Sequence, residues 1–468
     1  MTRSSMLVGL MAAWLALAAD AAAPLALAGS DSLAGTYLHW RHGESQAMDG
    51  GLLAVGVPFA SQSNGGTQFQ RNGVVGIYRW IGGRWLAVSW LDLARLGYTL
   101  QDDARFGAAL AVSGNRVLIG CPGCTGARPK AFLVEAPPHT LPPDPPPPLV
   151  WWPVQPSGIT SPSDPDNGIG SAVAIAGSVV AVGAPRATFG LLEFGAVAVG
   201  RFDGSQIDWE ETFFGWESSR FGQALALEQT HLANPLFVNH HLLVGAPQYV
   251  QSGVLGLAGR ARLFHRASVG AWTPGQEFAN PDPGFGDGLG SAVAIHWPSV
   301  DASAFLALGA PGRRLDGGPA AGTVRVYSRT GVGGTYVLDT EVQHAAPAVA
   351  DRFGGALALH GGRLLVGADG RAVDLLADAG SAFLFDRRFN VPSLSFEWLH
   401  RQTLTPRGGG NGNFGSSLAL GSRAASVGMP RYDPPGGSVD AGTVETYLCD
   451  QIFAHDLESD AAFACAGP

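Results

Sequence analysis

The side chains most able to do chemistry are few, and the acidic ones lead. Asp164, Asp166 and Asn167 stand close enough to share a cation, and calcium takes six to eight oxygen ligands. Asp102-Asp103, the pair Asp282 and Asp287, and Asp351 are the other acidic groups of this kind. Each precedes an apolar-Gly step, where Asp and Asn also cap their own backbone in turns. The turn reading covers all of them, and Asp164/Asp166/Asn167 is the metal candidate that remains. Cys121-Pro122-Gly123-Cys124 has the CxxC form of a redox or zinc pair. Zinc needs a second ligand pair at suitable spacing, and none follows, so a structural loop is the better reading. With Cys449 and Cys465 the cysteines number four, which permits three pairings, of which 121–124 and 449–465 are the simplest. His240 and His241 are adjacent in a strand candidate and should point to opposite faces. No G-x-S-x-G and no H-E-x-x-H occurs, and the glycine-rich 284–288 opens a strand rather than a helix. No catalytic residue and no cofactor is expected, and calcium gains no support from the turns.

The elements that would hold these residues repeat. A Gly-Ala-Pro-like step stands at Gly56, Gly120, Gly183-Ala184-Pro185, Gly245-Ala246-Pro247, Gly309-Ala310-Pro311, Gly367 and Gly428. Successive copies lie 58 to 64 residues apart, a period that signals a propeller, solenoid or array. A Phe-Gly-like step precedes it at Phe106-Gly107, Ile169-Gly170, Phe221-Gly222, Leu289-Gly290, Phe353-Gly354 and Phe414-Gly415. His42-Gly43 is a degenerate first copy. Between the two steps run two apolar segments around a short turn, the pattern of a β-hairpin. A third strand follows at 74–78, 196–201, 261–265, 323–327, 381–385 and 443–447. An aromatic-rich fourth stands at 85–90, 150–154, 209–214, 336–340 and 396–404. Four short antiparallel strands make one blade, and seven blades close radially without free edges. The fold class expected is all-β, a seven-bladed β-propeller of four-stranded antiparallel blades. The phenylalanines read as blade-to-blade packing, with each glycine allowing close backbone approach.

The paired steps resemble the FG-GAP repeat of the integrin α-chain propeller, and still more the bacterial FG-GAP repeat proteins with short hairpins. The resemblance spans about residues 35–450. It implies a binding or adhesion role, with ligands on the face that carries the loops. In the integrin-like family the turn between first and second strands often carries a D-x-D-x-D-G calcium loop. Here those turns, such as Ser113-Gly114-Asn115-Arg116 and Gly361-Gly362-Arg363, are too short and lack carboxylates.

One ring uses the mature chain, so the expected division is a signal peptide at 1–28, a propeller at 29–450 and a tail at 451–468. Arg3, an apolar run over 6–19 and Ala26-Leu27-Ala28 give the form of a secretory signal, with Ala16-Leu17-Ala18 as an earlier cleavage option. The chain should be exported, to the extracellular space, the cell surface or the periplasm. No later segment is apolar enough to span a bilayer. A net charge of −9 with 14% charged residues argues against nucleic acid. Gly35–Trp40 (GTYLHW) sits where a fourth strand would sit and should complete the last blade. Residues 61–72 read as a polar loop and 137–148 as an extended proline segment.

Loops after the Gly-Ala-Pro step and before the Phe-Gly step share one rim, called here the FG/GAP face. They are long and differ from copy to copy, as binding loops on a rigid scaffold do. Phe59, Phe189, Tyr249 and Tyr432 are candidate anchors there, with Arg186, Arg313, Asp316, Asp374 and Arg431 as polar contacts. The function expected is a monomeric, non-enzymatic binding module for a protein or glycan. The alternatives are a polysaccharide lyase or hydrolase with a pocket at the central channel, or a structural envelope protein.

Overall fold

A computed structural model describes residues 41–448 and the pair 25–26, except 65, 127, 138–147, 160–166, 191, 232–237, 252–255, 269, 298–302, 316, 330–333, 391–394, 407–410 and 434–438. The described chain is all β and forms seven four-stranded antiparallel sheets. Blade 1 comprises Ser45–Asp49, Leu52–Val57, Val74–Ile81 and Arg84–Leu91, from the inner strand outward. Blade 2 follows with Leu110–Ser113, Arg116–Gly120, Ala131–Glu135 and Trp151–Val154. Blade 3 is Ala172–Ala176, Val179–Ala184, Ala196–Phe202 and Ile207–Phe214. Blade 4 is Ala224–His231, Val238–Ala246, Arg260–Arg266 and Thr273–Ala279. Blade 5 is Val293–His296, Ala304–Ala310, Thr323–Arg329 and Val337–Val342. Blade 6 is Leu357–His360, Arg363–Ala368, Ser381–Asn390 and Ser395–Leu404. Blade 7 is Leu418–Leu420, Ala424–Met429 and Thr443–Leu448, with Leu25–Ala26 as its outer strand. The inner strands neighbour one another in chain order, and the last returns to the first, so the seven sheets form a closed ring. This is the expected seven-bladed propeller.

The repeated glycines make the joints. In all seven copies the N–H of the Phe-Gly glycine donates to the carbonyl of the Gly-Ala-Pro glycine of its own blade, at 2.9–3.1 Å. That Gly-Ala-Pro glycine also lies against the carbonyl oxygen of the next blade's Phe-Gly glycine. A Cβ added at Gly56, Gly120, Gly183, Gly245, Gly309, Gly367 or Gly428 would fall less than 3.0 Å from that oxygen. The residue before each Phe-Gly glycine's aromatic or apolar partner is left-handed in every copy. Four of these are arginines, Arg41, Arg105, Arg220 and Arg352, at φ 52–57°. The left-handed region is costly for a side chain, so the turn must be held by its neighbours. Phe106, Phe221, Phe353 and Phe414 are fully buried, each in a cluster shared with the preceding blade. Burying such a ring contributes roughly 1.5–3 kcal/mol apiece.

Several details depart from the sequence reading. Leu25–Ala26 pairs with Thr446 and Glu445 on the outer edge of blade 7, so an N-terminal segment completes that blade; Gly35–Trp40, expected there, lies outside the described residues. The polar loop at 61–72 carries its own hairpin, Gln62–Asn64 with Thr67–Phe69. Thr273–Ala279 completes blade 4 although Pro274 and Gly275 weaken its strand pattern; an outer strand tolerates proline because one edge has no partner. Cys121 and Cys124 form the expected local disulfide and are fully buried, while Cys449 and Cys465 lie outside the described residues.

Candidate functional site

The channel wall is made of inner strands reading LAVS, AVAIA, VAIH, LALH and LAL, which offer few groups for chemistry. Its hairpin-side mouth departs from that. Glu228, His296 and His360 stand on consecutive inner strands of blades 4, 5 and 6. His296 Nδ1 lies 3.5 Å from Glu228 Oε2, and the rings of His296 and His360 are 4.8 Å apart. Burial, with the charges of His296 and Arg363, pushes His360 down to about 4. These three lie in different copies, where sequence spacing cannot bring them together. No group of three or more metal-ligating side chains converges among the described residues.

The FG/GAP mouth gathers charge where copies depart from the repeat. Asp369 stands in the proline position of its step, and Glu44 follows the degenerate His42-Gly43. Arg352 Nε meets Asp369 at 3.1 Å and its Nη2 meets Asp378 at 3.9 Å; Arg41 approaches Glu44 at 4.0 Å. Burial raises the Glu44 carboxyl above its usual range, while Arg41 and Arg431 oppose the shift and Asp369 adds to it. Burial raises Asp369 as well, against the pull of Arg352 and Arg431. Six side chains from blades 1, 6 and 7 thus share one electrostatic field. Perturbed carboxyls in such a setting mark candidate functional positions.

Around this mouth the loops expose apolar side chains. Of sixteen large apolar residues exposed among the described ones, ten lie on this side. Phe189, Leu192 and Phe214 belong to blade 3, Val250 and Leu257 to blade 4, and Phe285 to the approach to blade 5. Val349, Leu375 and Leu376 belong to blade 6 and its approach, and Val439 to blade 7. Of the other six, five lie on outer strands or at their ends, and Phe389 lies near the end of the third strand of blade 6. Leu375 is wholly exposed, and Phe285 is 82% exposed.

The expected contact residues divide. Phe189 is exposed and pairs with Phe214 at 5.7 Å. Arg186, Asp374 and Arg431 are exposed. Phe59 is half-buried beneath the Arg41 guanidinium, 4.6 Å from its ring centre. Tyr249 is half-buried between Trp216 at 5.2 Å and the Arg260 guanidinium at 4.1 Å, and Tyr432 packs on the core between blades 6 and 7. Arg313 is no surface contact: it is buried, with Nε 2.6 Å from Glu341 and Nη1 3.2 Å from Asp287. Asp316, Asp164 and Asp166 lie outside the described residues. Asn167 accepts from the Ile169 N–H at 3.2 Å, Asp287 from the Gly284 N–H at 2.7 Å, Asp351 from the Ala348 N–H at 2.6 Å, and Asp102 from the Gln70 N–H at 2.7 Å. Asn167, Asp287 and Asp351 therefore do turn chemistry, whereas Asp102 and Asp103 tie their loop to Gln70 and Arg71. Sequence reasoning missed Glu44, Asp369, Phe285 and Leu375; the first two were visible as departures from the repeat.

No protein-family model matches the chain, and no curated protein matches it. Among solved structures, Sqt1 from Chaetomium thermophilum is similar at 12% identity and a TM-score of 0.41, covering 91% of this chain and 90% of that one. The periplasmic gluconolactonase PpgL of Pseudomonas aeruginosa is similar at 14% identity and 0.41, covering 76% and 82%. Hsv2 from Kluyvelomyces marxianus is similar at 11% identity and 0.40, covering 82% and 88%.

Proposed function

We propose that this chain is an exported, non-enzymatic binding propeller of adhesion type, related to FG-GAP repeat proteins, which takes a protein or glycan partner on the FG/GAP face. The observation that supports it most is the concentration of exposed apolar side chains on that face, beside a charged mouth. Ring packing requires the repeated strands but does not require Leu375 or Phe285 to face water. Exposed apolar groups rimmed by polar ones are the usual mark of an interaction surface. A glycan and extracellular-matrix array on the purified chain would identify the partner. Phe285→Asp, Leu375→Asp or Arg431→Glu should then weaken binding by about tenfold or more, the scale of a lost interface anchor. Phe389→Asp and Phe396→Asp, on the outer hairpin of blade 6, should leave it unchanged. The reverse pattern would place the partner elsewhere.

The raised carboxyls of Glu44 and Asp369 favour one second reading, a polysaccharide lyase or hydrolase working at the channel mouth. If the chain degrades any polysaccharide, Glu44→Gln and Asp369→Asn should abolish that activity while leaving melting behaviour intact. Activity that survives both substitutions removes these two carboxyls from the chemistry.

A further inference from the structure

The repeats serve as controls for one another on the hairpin side of the ring. Blades 4, 5 and 6 each carry an arginine as the seventh residue of the third strand: Arg266, Arg329 and Arg387. Arg266 meets Glu210 of blade 3 at 3.1 Å, and the Trp272 indole N–H donates to the same carboxylate at 3.1 Å. Arg387 meets Asp339 of blade 5 at 3.1 Å, and the Trp398 indole N–H donates to that carboxylate at 2.9 Å. In both joints a carboxylate of the preceding blade lies between a guanidinium and an aromatic donor.

The joint between blades 4 and 5 has the donors and lacks the carboxylate. Gln276 is fourth in the outer strand of blade 4, as Glu210 is fourth in that of blade 3. Its amide is committed to the Tyr336 backbone, donating to the carbonyl and accepting from the N–H, both at 2.8 Å. Arg329 stacks 4.2 Å from the Trp297 ring centre and 4.9 Å from that of Tyr336. The His241 ring lies 4.6 Å from Trp297. Arg329 Nε, Tyr336 Oη, Trp297 Nε1 and both His241 ring nitrogens are buried without a hydrogen-bond partner among the described residues. Trp297, Tyr336 and His241 are 2%, 3% and 5% exposed. Buried polar groups are nearly always paired, so this concentration in one joint calls for an acceptor. Burial keeps His241 neutral, pushing it down to about 3, so one of its nitrogens donates. Glu228 is a rival acceptor among the described residues; it pairs across the sheet with His241 but is turned to His296 and to the Gln229 N–H at 3.2 Å. His265 completes the same cross-strand row.

We propose that the joint between blades 4 and 5 binds a small carboxylate ligand, which takes the place that Glu210 and Asp339 fill at the neighbouring joints. Arg329 supplies the charge, and the Tyr336 hydroxyl, the Trp297 indole and His241 supply neutral donors. Arg329 is half exposed, so the ligand enters from the hairpin rim, away from the FG/GAP face. The proposal is independent of the partner assigned to that face.

The test titrates the full chain with acetate at fixed ionic strength and pH 7, reading the melting temperature and calorimetric heat. Chloride is the ionic control; glucuronate and N-acetylglycine separate a sugar-acid from a peptide-type carboxylate. A saturable rise with acetate, absent with chloride, is expected, since a ligand that binds only the folded state must stabilise it. Arg329→Gln should weaken acetate by about tenfold or more, as loss of a charged hydrogen bond does. Gln276→Glu places a carboxylate in the joint and should abolish the effect; it serves if the arginine variant does not fold. Glu228→Gln should leave the effect intact. Equal effects of acetate and chloride, or none, would mean that water or Glu228 satisfies these donors, and would overturn the proposal. So would an acetate effect that persists in both Arg329→Gln and Gln276→Glu.

Discussion

Replacing Gly309 by alanine should unseat the joint between blades 5 and 6. The added Cβ would fall less than 3.0 Å from the carbonyl oxygen of Gly354. Backbone lies on both sides, so no flexible side chain can yield. Gly354 is fixed in turn, because its N–H donates to Gly367 at 2.9 Å. Relief therefore requires two blades to move apart, which loosens the cluster around Phe353 and the packing of Val324 and Val366 with it. Overpacking usually costs 1–3 kcal/mol; for backbone against backbone the expectation is about 3 kcal/mol or more. In a ring of this size that corresponds to a fall of roughly 3–4 °C in melting temperature. Gly51→Ala is the control. Its nearest neighbour would be the Trp80 Cβ at 3.6 Å, ordinary contact, and the change should stay within about 0.5 kcal/mol. Equal melting temperatures for the two variants would show that the glycine joint is not what sets blade spacing.

Glu341→Ala should be comparably damaging for an electrostatic reason. The Glu341 carboxylate accepts from Arg313 at 2.6 Å, Arg325 at 3.0 Å and the Thr323 hydroxyl at 2.7 Å. The arginine side chains are only 8% and 5% exposed, so alanine would leave two guanidiniums buried, with Asp287 as partner for Arg313 alone. Removing one partner from a buried ion pair typically costs about 3–5 kcal/mol. The network also predicts a pH window. Burial by itself would raise the Glu341 carboxyl, but the Thr323 and Arg313 hydrogen bonds and the charges of Arg325 and Arg313 outweigh it and hold it below its ordinary 4.5. The unfolded chain then takes up the proton first as pH falls. The stabilisation is complete above the ordinary carboxylate value and is lost as pH drops through the folded one. Urea melts at pH 7 and pH 3 should show wild type losing this contribution and Glu341→Ala having none to lose. Parallel losses in both proteins would refute the assignment.

The blade repeat was legible because each copy must present the same joint. A glycine that meets a neighbour's backbone cannot vary, so the spacing of Gly56, Gly120, Gly183 and their successors survives where side chains drift. Outer strands were less legible. One edge is unpaired, so Pro274 and Gly275 are admitted and the alternating pattern blurs. The pairing of Leu25 and Ala26 was not legible either, because a two-residue strand carries no alternating pattern. Arg313 was read as a surface contact because its loop is polar, and sequence does not show that Asp287 and Glu341 turn inward to meet it. Glu228 and His296 are 3.5 Å apart but belong to neighbouring blades, and Glu44 and Asp369 interact across most of the chain length. Such meetings follow from ring closure, which local pattern does not encode. The missing carboxylate beside Arg329 became visible only when equivalent joints could be compared.

The contact of Gly428 with the Gly43 carbonyl is the same contact made at the other six joints. First and last blades therefore meet through parts that every unit already carries. A unit copied within the gene would bring both halves of a working joint with it. Growth or loss by whole units would then require no new closing partner, only a change in the angle that each blade subtends. The place where the chain happens to start is, for the same reason, interchangeable. A permuted gene beginning ahead of Phe221 and joined through a linker between the present termini should assemble the same ring.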